Sequence, residues 1–336
     1  MANAGPAAET VGCLRIAGAR LPGGAPFEAV VRDGRLVTLD AACARELDAR
    51  GSFVVPAFVD AHVHLEYLPA EEALARAGVA AAVDLAAPIE SLGEQRAGPL
   101  RVLHAGPMIT ATGGYPTRSW GADGYGLPCD GAAACAAAVD RVADAGADLV
   151  KVPLAGPPEH DDETLRAIVE RAHARGLRVA VHALTDVAAR RAADAGADLL
   201  AHTPTEPLSE ATVRALADRA VVSTLAAFGG SEAAIENLRR LRAAGATVLY
   251  GTDLGNTRTA AIDARELALL ARAGMSPRDV VDAGTAAPAR FFGLEGLGAL
   301  EPGAAASLLL LDADPLAHPE TLTRPVHVLL DGVIVR

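Results

Sequence analysis

The sequence predicts an α/β fold, a TIM-type (β/α)₈ barrel carrying a small β-sandwich built from both chain termini. Three observations point there. From about residue 78, a helical stretch that closes on a small residue and Gly is followed by a short apolar run ending in a polar residue, and this unit recurs along the chain. The repetition extends to the residues themselves, with ADAGADL at 143 to 149 and again at 193 to 199. The flanks lack helical periodicity and carry short strand-like runs separated by Gly and Asp turns.

Taken in order, LRIAGARL and FEAVVRDGRLVTLD read as strands of the N-terminal flank, assigned to residues 1–56. The first barrel strand is the run that ends at His62-Val63-His64. The next units are Gly78 with VAAAVD, Gly98 with PLRVLH, Gly146 with ADLVK, Gly176 with LRVAVH, Gly196 with ADLLAH, the run VVSTLAA at 221 to 227, and Gly245 with ATVLYGTD. That makes eight strands, near 58, 80, 101, 148, 178, 197, 221 and 247. The glycines suit left-handed helix C-caps, and the runs suit parallel strands covered on both faces. Between them lie helices such as the one with Leu165, Ile168, Val169 and Ala172 at helical spacing, and the one opened by Ser276-Pro277. A doubly wound open sheet fits less well, because no GxGxxG follows an early strand. The barrel is assigned to 57–297, and SLLLLDAD and VHVLLDGVIV, within 298–336, complete the composite sandwich.

Composition narrows the class. Hydrophobic residues are 51% and charged residues 21%, which excludes a disordered or collagen-like chain. No apolar run reaches the roughly 18 to 20 residues of a membrane span, and the start MANAGPAAET has no secretory pattern, so a cytoplasmic protein is expected. A net charge of −12 leaves no basic footprint for nucleic acid. The expected partner is a small-molecule substrate, with room for a homo-oligomer. Cys13, Cys43, Cys129 and Cys135 form no Cys-x-x-Cys pair and are expected to be free thiols.

Catalytic residues of such a barrel sit at the C-terminal ends of its strands. The pattern places His62, His64, Asp84, His104, Lys151, His182, His202 and Asp253 there. His62 and His64 are two apart in a strand, project to one face and can chelate one ion together. Histidines gathered beside a carboxylate point to a cation that organises them. Lys151 is the single lysine among 30 basic residues. A desolvated lysine, unlike an arginine, can lose its proton and react with carbon dioxide to give a carbamate, whose two oxygens can bridge two cations. His104 is a candidate hydrogen-bonding or catalytic group, and Asp84 a candidate orienting group. The long connection at 111 to 131 holds Tyr115, Trp120 and Tyr125 and reads as a lid. Arg118 within it and Arg258 after Asp253 are candidate anchors for a substrate carboxylate, and Tyr67 a further candidate contact.

These residues resemble the amidohydrolase superfamily over nearly the whole chain. The resemblance rests on VVPAFVDAHVHL at 54 to 65, Lys151, His182 in VAVHAL, His202 in LLAHTP, YGTD at 250 to 253, GTAAPARFFGL at 284 to 294 and the tail GALEPGAAASLLLLDADP. HAGPMITATGGYP at 104 to 116 is similar to the imidazolonepropionase-like and Xaa-Pro dipeptidase-like branch. The resemblance implies one metal on His62, His64 and Asp253, a second on His182 and His202, and carboxylated Lys151 between them. Zinc is the expected ion, with manganese, iron or cobalt compatible with the same ligands. It implies hydrolysis of an amide-like bond by a metal-activated hydroxide, with Asp253 as proton shuttle. The alternatives are a lactonase or esterase on the same site, a single-metal deaminase, disfavoured because HALTD follows the strand-five His without a Glu, an imidazolonepropionase-like ring hydrolase, and a non-catalytic scaffold. Three positions depart from the family pattern: Pro56-Ala57 in place of Pro-Gly, Ser307 where an Asp is common, and Tyr115 where the branch often has His.

Overall fold

The structure, a computed structural model, describes residues 9–10, 12–39, 43–93 and 98–336. Eight strands form the central barrel, at Phe58–Val63, Val79–Asp84, Arg101–His104, Leu149–Leu154, Arg178–Ala183, Leu199–Leu200, Ala220–Val222 and Thr247–Leu249. Consecutive strands pair in parallel in a set of three and a set of five. The sets join where the Asp148 N–H donates to the His104 carbonyl at 2.8 Å. They close where the Ala61 N–H reaches the Tyr250 carbonyl at 2.9 Å and the His64 N–H reaches the Leu254 carbonyl at 2.7 Å. Glycines 78, 98, 146, 176, 196 and 245, which punctuate the repeat, all have positive φ, and at 78, 146, 176, 196 and 245 this conformation lets the preceding helix stop and the next strand begin.

Strand alternation sorts the side chains. Leu149, Ala180, Leu199, Ala220, Val222 and Leu249 fill the barrel interior, whereas Val150, Val152, Val179, Val181 and Val221 face the helices. Lys151 and His182 lie two residues beyond Leu149 and Ala180 in their strands, so period two carries them inward as well. Helix Asp162–Ala174 buries Leu165, Ile168, Val169 and Ala172, as their spacing predicts, and Asp161 caps it by accepting from the Thr164 N–H. Ser276 and Asp279 form a reciprocal capping box ahead of Pro277–Gly284.

Strands from both ends of the chain share one nine-stranded sheet. Its centre is the antiparallel pairing of Leu308–Leu311 with Phe53–Pro56. Leu308 and Leu310 pack with Leu14, Ile16, Val31 and Leu36 into a core of their own, while Leu309 and Leu311 turn the other way onto the barrel. Four consecutive leucines are thus all buried because the strand has apolar matter on both faces. The Leu36 N–H donates to the Ala304 carbonyl and the Ala306 N–H to the Gly34 carbonyl, so the sheet folds back over that core. The Ser307 hydroxyl bonds the Asp331 carboxylate at 3.2 Å and accepts from the Asp331 N–H, locking this layer at the position that departs from the family pattern.

The cysteines depart from expectation. Cys13 is joined to Cys43 and Cys129 to Cys135, and none is free. The Cα atoms stand 5.5 and 5.2 Å apart, within disulfide reach. Neither pair has a spacing that sequence alone would single out, because the fold brings the partners together. Among the described residues no helix is long and apolar enough to cross a membrane.

Candidate active site

The first strand, Phe58–Val63, delivers His62 and, just past its end, His64. The eighth strand stops at Leu249, and the segment after it brings Asp253 back against the first: its N–H donates to the His62 carbonyl at 2.8 Å. Asp253 is in the left-handed region at φ 53, a conformation that Asp tolerates better than most side chains. Gly255, at φ 119, lets this segment pass His64, since a Cβ there would lie 2.8 Å from the His64 Cβ.

The side chains converge. The ligand-type atoms of His62, His64 and Asp253 all lie within 4.8 Å of one another. Nε2 of His62 and Nε2 of His64 are 3.2 Å apart, and stand 3.4 and 3.3 Å from Asp253 Oδ1. The ring of His202 is 4.5 Å from that of His62 and 4.7 Å from that of His182. His62 Nδ1 bonds the Ala201 carbonyl at 2.8 Å, which requires the proton on Nδ1 and leaves Nε2 with its lone pair toward the cluster. His202 Nδ1 meets the Thr224 hydroxyl at 3.0 Å.

Burial sets the charges. It drives the His62 and His202 imidazoles well below their ordinary value, assisted for His62 by the Lys151 charge, and takes His182 to about 3. Burial lowers the Lys151 amine to about 7, against the attraction of Asp253. For Asp253 burial opposes ionisation, but the imidazoles of His62, His64 and His202 outweigh it and hold the carboxyl well below the carboxylate range. Neutral imidazoles of His62, His182 and His202 beside one firm carboxylate are the protonation states that a divalent cation requires of such ligands. Lys151 Nζ and His64 Nδ1 are buried without a hydrogen-bond partner, and an unpartnered buried amine is costly unless something else engages it. The residues present fit a divalent metal centre.

The cavity over these groups is about 280 Å³ and is lined, besides the six residues above, by Tyr67, Met108, Tyr115, Trp120, Phe228, Asn256 and Arg258. The connection at 111 to 125 is held at its base by parallel pairing of Met108–Thr110 with Gly126–Pro128. Trp120 lies 5.1 Å from the His64 ring, Tyr115 lies 5.5 Å from the His182 ring, and the indole N–H donates to the Tyr115 hydroxyl at 2.7 Å. Tyr125 packs 5.4 Å from Trp120, outside the lining. Two other candidates also lie outside it. Arg118 is exposed and folds over Gly113, where a Cβ would come within 2.3 Å of its guanidinium. His104 is buried at the end of the third strand, its backbone tied to Asp148. Met108, Phe228 and Asn256 are cavity residues that the sequence did not single out.

Three buried acids form the support. Asp84 accepts from the N–H groups of Leu65, Glu66 and Ala86, which fixes the turn after His64. Asp60 accepts from the His62 N–H, the Thr252 N–H and the Thr252 hydroxyl, tying the first strand to the segment that carries Asp253. Asp60 had one sequence signal, its place two residues before His62 in the same strand. Glu266, on helix Ala264–Arg272, had none. Its carboxylate takes the N–H groups of Leu225 and Ala226, at the start of the short helix Ala226–Phe228 whose Phe228 ring is 4.9 Å from His202.

Burial pushes the Glu266 carboxyl up from 4.5 to about 7, against hydrogen bonds that favour its ionised form. Between these values the native state binds the proton and the unfolded chain does not, so the Glu266 contribution to stability falls as pH rises. Glu266→Gln places an amide N–H₂ against backbone donors and is expected to cost about 1 to 3 kcal/mol of stability. That deficit, read as the difference between parent and variant denaturation curves, should be largest below pH 4.5 and smallest above 7. A deficit that grows with pH would show instead that the ionised form is the stabilising one.

Known proteins resemble this chain in sequence and in fold. The sequence pattern of the amidohydrolase family matches residues 53–335. An imidazolonepropionase of Streptomyces coelicolor is 32% identical over 339 residues, covering 85% of this chain and 84% of its own. An uncharacterized protein of Mycobacterium tuberculosis is 27% identical over 364 residues, with 95% of each chain covered. A crystal structure of a Xaa-Pro dipeptidase with bound methionine has the same fold, with a TM-score of 0.83 at 19% identity over 96% of this chain and 99% of its own. With the barrel, the inward histidines and the match spanning both, this chain belongs to the amidohydrolase family, the metal-dependent hydrolases of carbon–nitrogen bonds.

Proposed function

We propose that the protein hydrolyses an amide-like C–N bond, in a linear N-acyl or dipeptide-like substrate or a cyclic amide, at a centre of two divalent ions. The observation that carries this is the convergence of His62, His64, Asp253, His182, His202 and a buried, unpartnered Lys151 on one cavity. His62, His64 and Asp253 would hold one ion and His182 and His202 the other, with Lys151 as a carbamate between them; zinc fits this N and O donor set. Bound divalent ions supply Lewis acidity toward the scissile carbonyl and a nucleophile from water. Asp253 takes the proton of the attacking water and delivers it to the leaving nitrogen, while Asn256 donates to Asp253 Oδ2 at 3.1 Å and keeps that oxygen oriented.

The lining suggests the shape of the substrate. A cavity of about 280 Å³ admits a small molecule, and Trp120 and Tyr115 offer flat faces to a cyclic or apolar part. Arg258 is the arginine of that lining, which makes it the anchor for a substrate carboxylate in place of Arg118. The names of the relatives, imidazolonepropionase and Xaa-Pro dipeptidase, support a nitrogen leaving group. Elemental analysis of the purified protein should find about two ions per chain, and a screen of Xaa-Pro and other dipeptides, N-acyl amino acids, cyclic imides and lactams should find turnover. Lactones serve as the contrast, and a preference for them overturns the C–N assignment. Arg258→Ala should raise KM for the acid form of the best substrate about ten- to a hundredfold and spare its neutral amide or ester. Trp120→Ala should lower kcat/KM with full metal content. If both variants match the parent, the substrate lies elsewhere in the cavity.

A further inference from the structure

Behind the lid lies a second cluster of reactive side chains, which the hydrolytic site does not use. Cys129 directly follows the lid strand Gly126–Pro128, and its N–H donates to the Thr110 carbonyl at 2.9 Å. Cys135 lies in helix Ala132–Asp144. His160 comes from the loop after strand Leu149–Leu154, which carries Lys151, and its Nδ1 is 4.0 Å from Cys135 Sγ. All three are buried, at 8%, 0% and 3% exposure, with their ligand-type atoms within 4.8 Å of one another. The two sulfurs are bonded.

We propose that Cys129 and Cys135 form a reversible thiol–disulfide modification site that takes a dithiol reductant as its partner and controls how tightly the aromatic lid closes. The bridge spans six positions of sequence, so the loop it closes lies wholly within the stretch from the lid strand to the helix that follows. Its effect is therefore local. It fixes the outgoing end of the 111 to 128 segment to the helix that follows, and the same segment holds Tyr115 and Trp120 against His182 and His64. Thr112 is tied to this end as well, its N–H donating to Asp130 Oδ1 at 3.0 Å.

The chemistry balances with a dithiol. One thiolate of the reductant attacks Cys129 Sγ, on the less buried residue of the pair, and the Cys129–Cys135 bond breaks with Cys135 leaving as thiolate. The second thiolate of the reductant then closes on its own partner sulfur and releases Cys129. Two electrons and two protons pass to the protein, and the reductant becomes a cyclic disulfide. His160 stands beside the leaving sulfur, its Nδ1 4.0 Å from Cys135 Sγ.

Trp120 is the only tryptophan of the chain, so the lid carries its own reporter, and the test does not depend on the hydrolase reading. The full-length protein is equilibrated in dithiothreitol buffers of graded potential, and thiol content is followed together with Trp120 emission and its quenching by acrylamide. Reduction should red-shift the emission and raise the quenching constant, with a midpoint that tracks thiol release. Cys13→Ser/Cys43→Ser should keep that response and Cys129→Ser/Cys135→Ser should lose it. The first variant and the parent carry the test if the second does not fold. Thiol release from Cys129 and Cys135 without any change at Trp120 overturns the proposal, and so does a pair that stays as free thiols in oxidised buffer.

Discussion

Lys151→Ala should purify with less metal than the parent and turn over substrate at least about a thousandfold more slowly, the rate equivalent of several kcal/mol of metal-derived stabilisation. The side chain is fully buried among ligands, and its amine is lowered to about 7. A neutral amine is available there near neutral pH, and only the neutral amine reacts with carbon dioxide. On the proposed carbamate, its loss removes an anion from a centre whose other donors are imidazoles and one carboxylate. Lys151→Arg should be as inactive as the Ala variant, because guanidinium stays charged and would repel divalent ions from the ligands around it. Acetate or propionate added to the Ala variant can enter the space left and should restore part of the metal and part of the rate. Metal analysis and a steady-state assay read all three outcomes. An Arg variant with normal metal and normal rate would leave the carbamate without support.

The proposed metal ligands were legible in the sequence for a definite reason. Their positions are dictated by strand periodicity and by the rule that barrel chemistry lies at the C-terminal strand ends, and both are local properties. His62, His64, Lys151, His182, His202 and Asp253 all line the cavity where these rules place them. Arg118 and Arg258 show the limit. Each is an arginine on a loop, and only the path of its loop decides which one reaches the cavity. Glu266 was hidden for another reason: its partners, Leu225 and Ala226, are distant in sequence, and a buried acid on a helix reads as a surface charge until its donors are known. The Cys13–Cys43 disulfide belongs to the same class of long-range fact. Cys13 and Cys43 are 30 residues apart, and the sheet pairing alone brings them together.

Asp253→Asn should keep most of its metal and lose about 10² to 10⁴ in kcat, the span typical of a missing general acid–base group. The substitution is clean for structural reasons. Asn tolerates the left-handed backbone at φ 53 as well as Asp does, so the turn after the eighth strand persists. Its amide oxygen can still face His62 and His64, which stand 3.4 and 3.3 Å from Oδ1. What it cannot do is accept a proton from water and return it to nitrogen. In the parent, the imidazoles hold this carboxyl well below the carboxylate range, so it is ionised and ready as a base across the neutral range. The Asn variant should therefore bind a substrate-like inhibitor about as well as the parent while kcat collapses. Metal analysis, an inhibition constant and single-turnover rates separate these effects. A nearly active Asn variant with a full metal complement would transfer the shuttle to another group, and His104, buried at the end of the third strand, would be the next residue to replace.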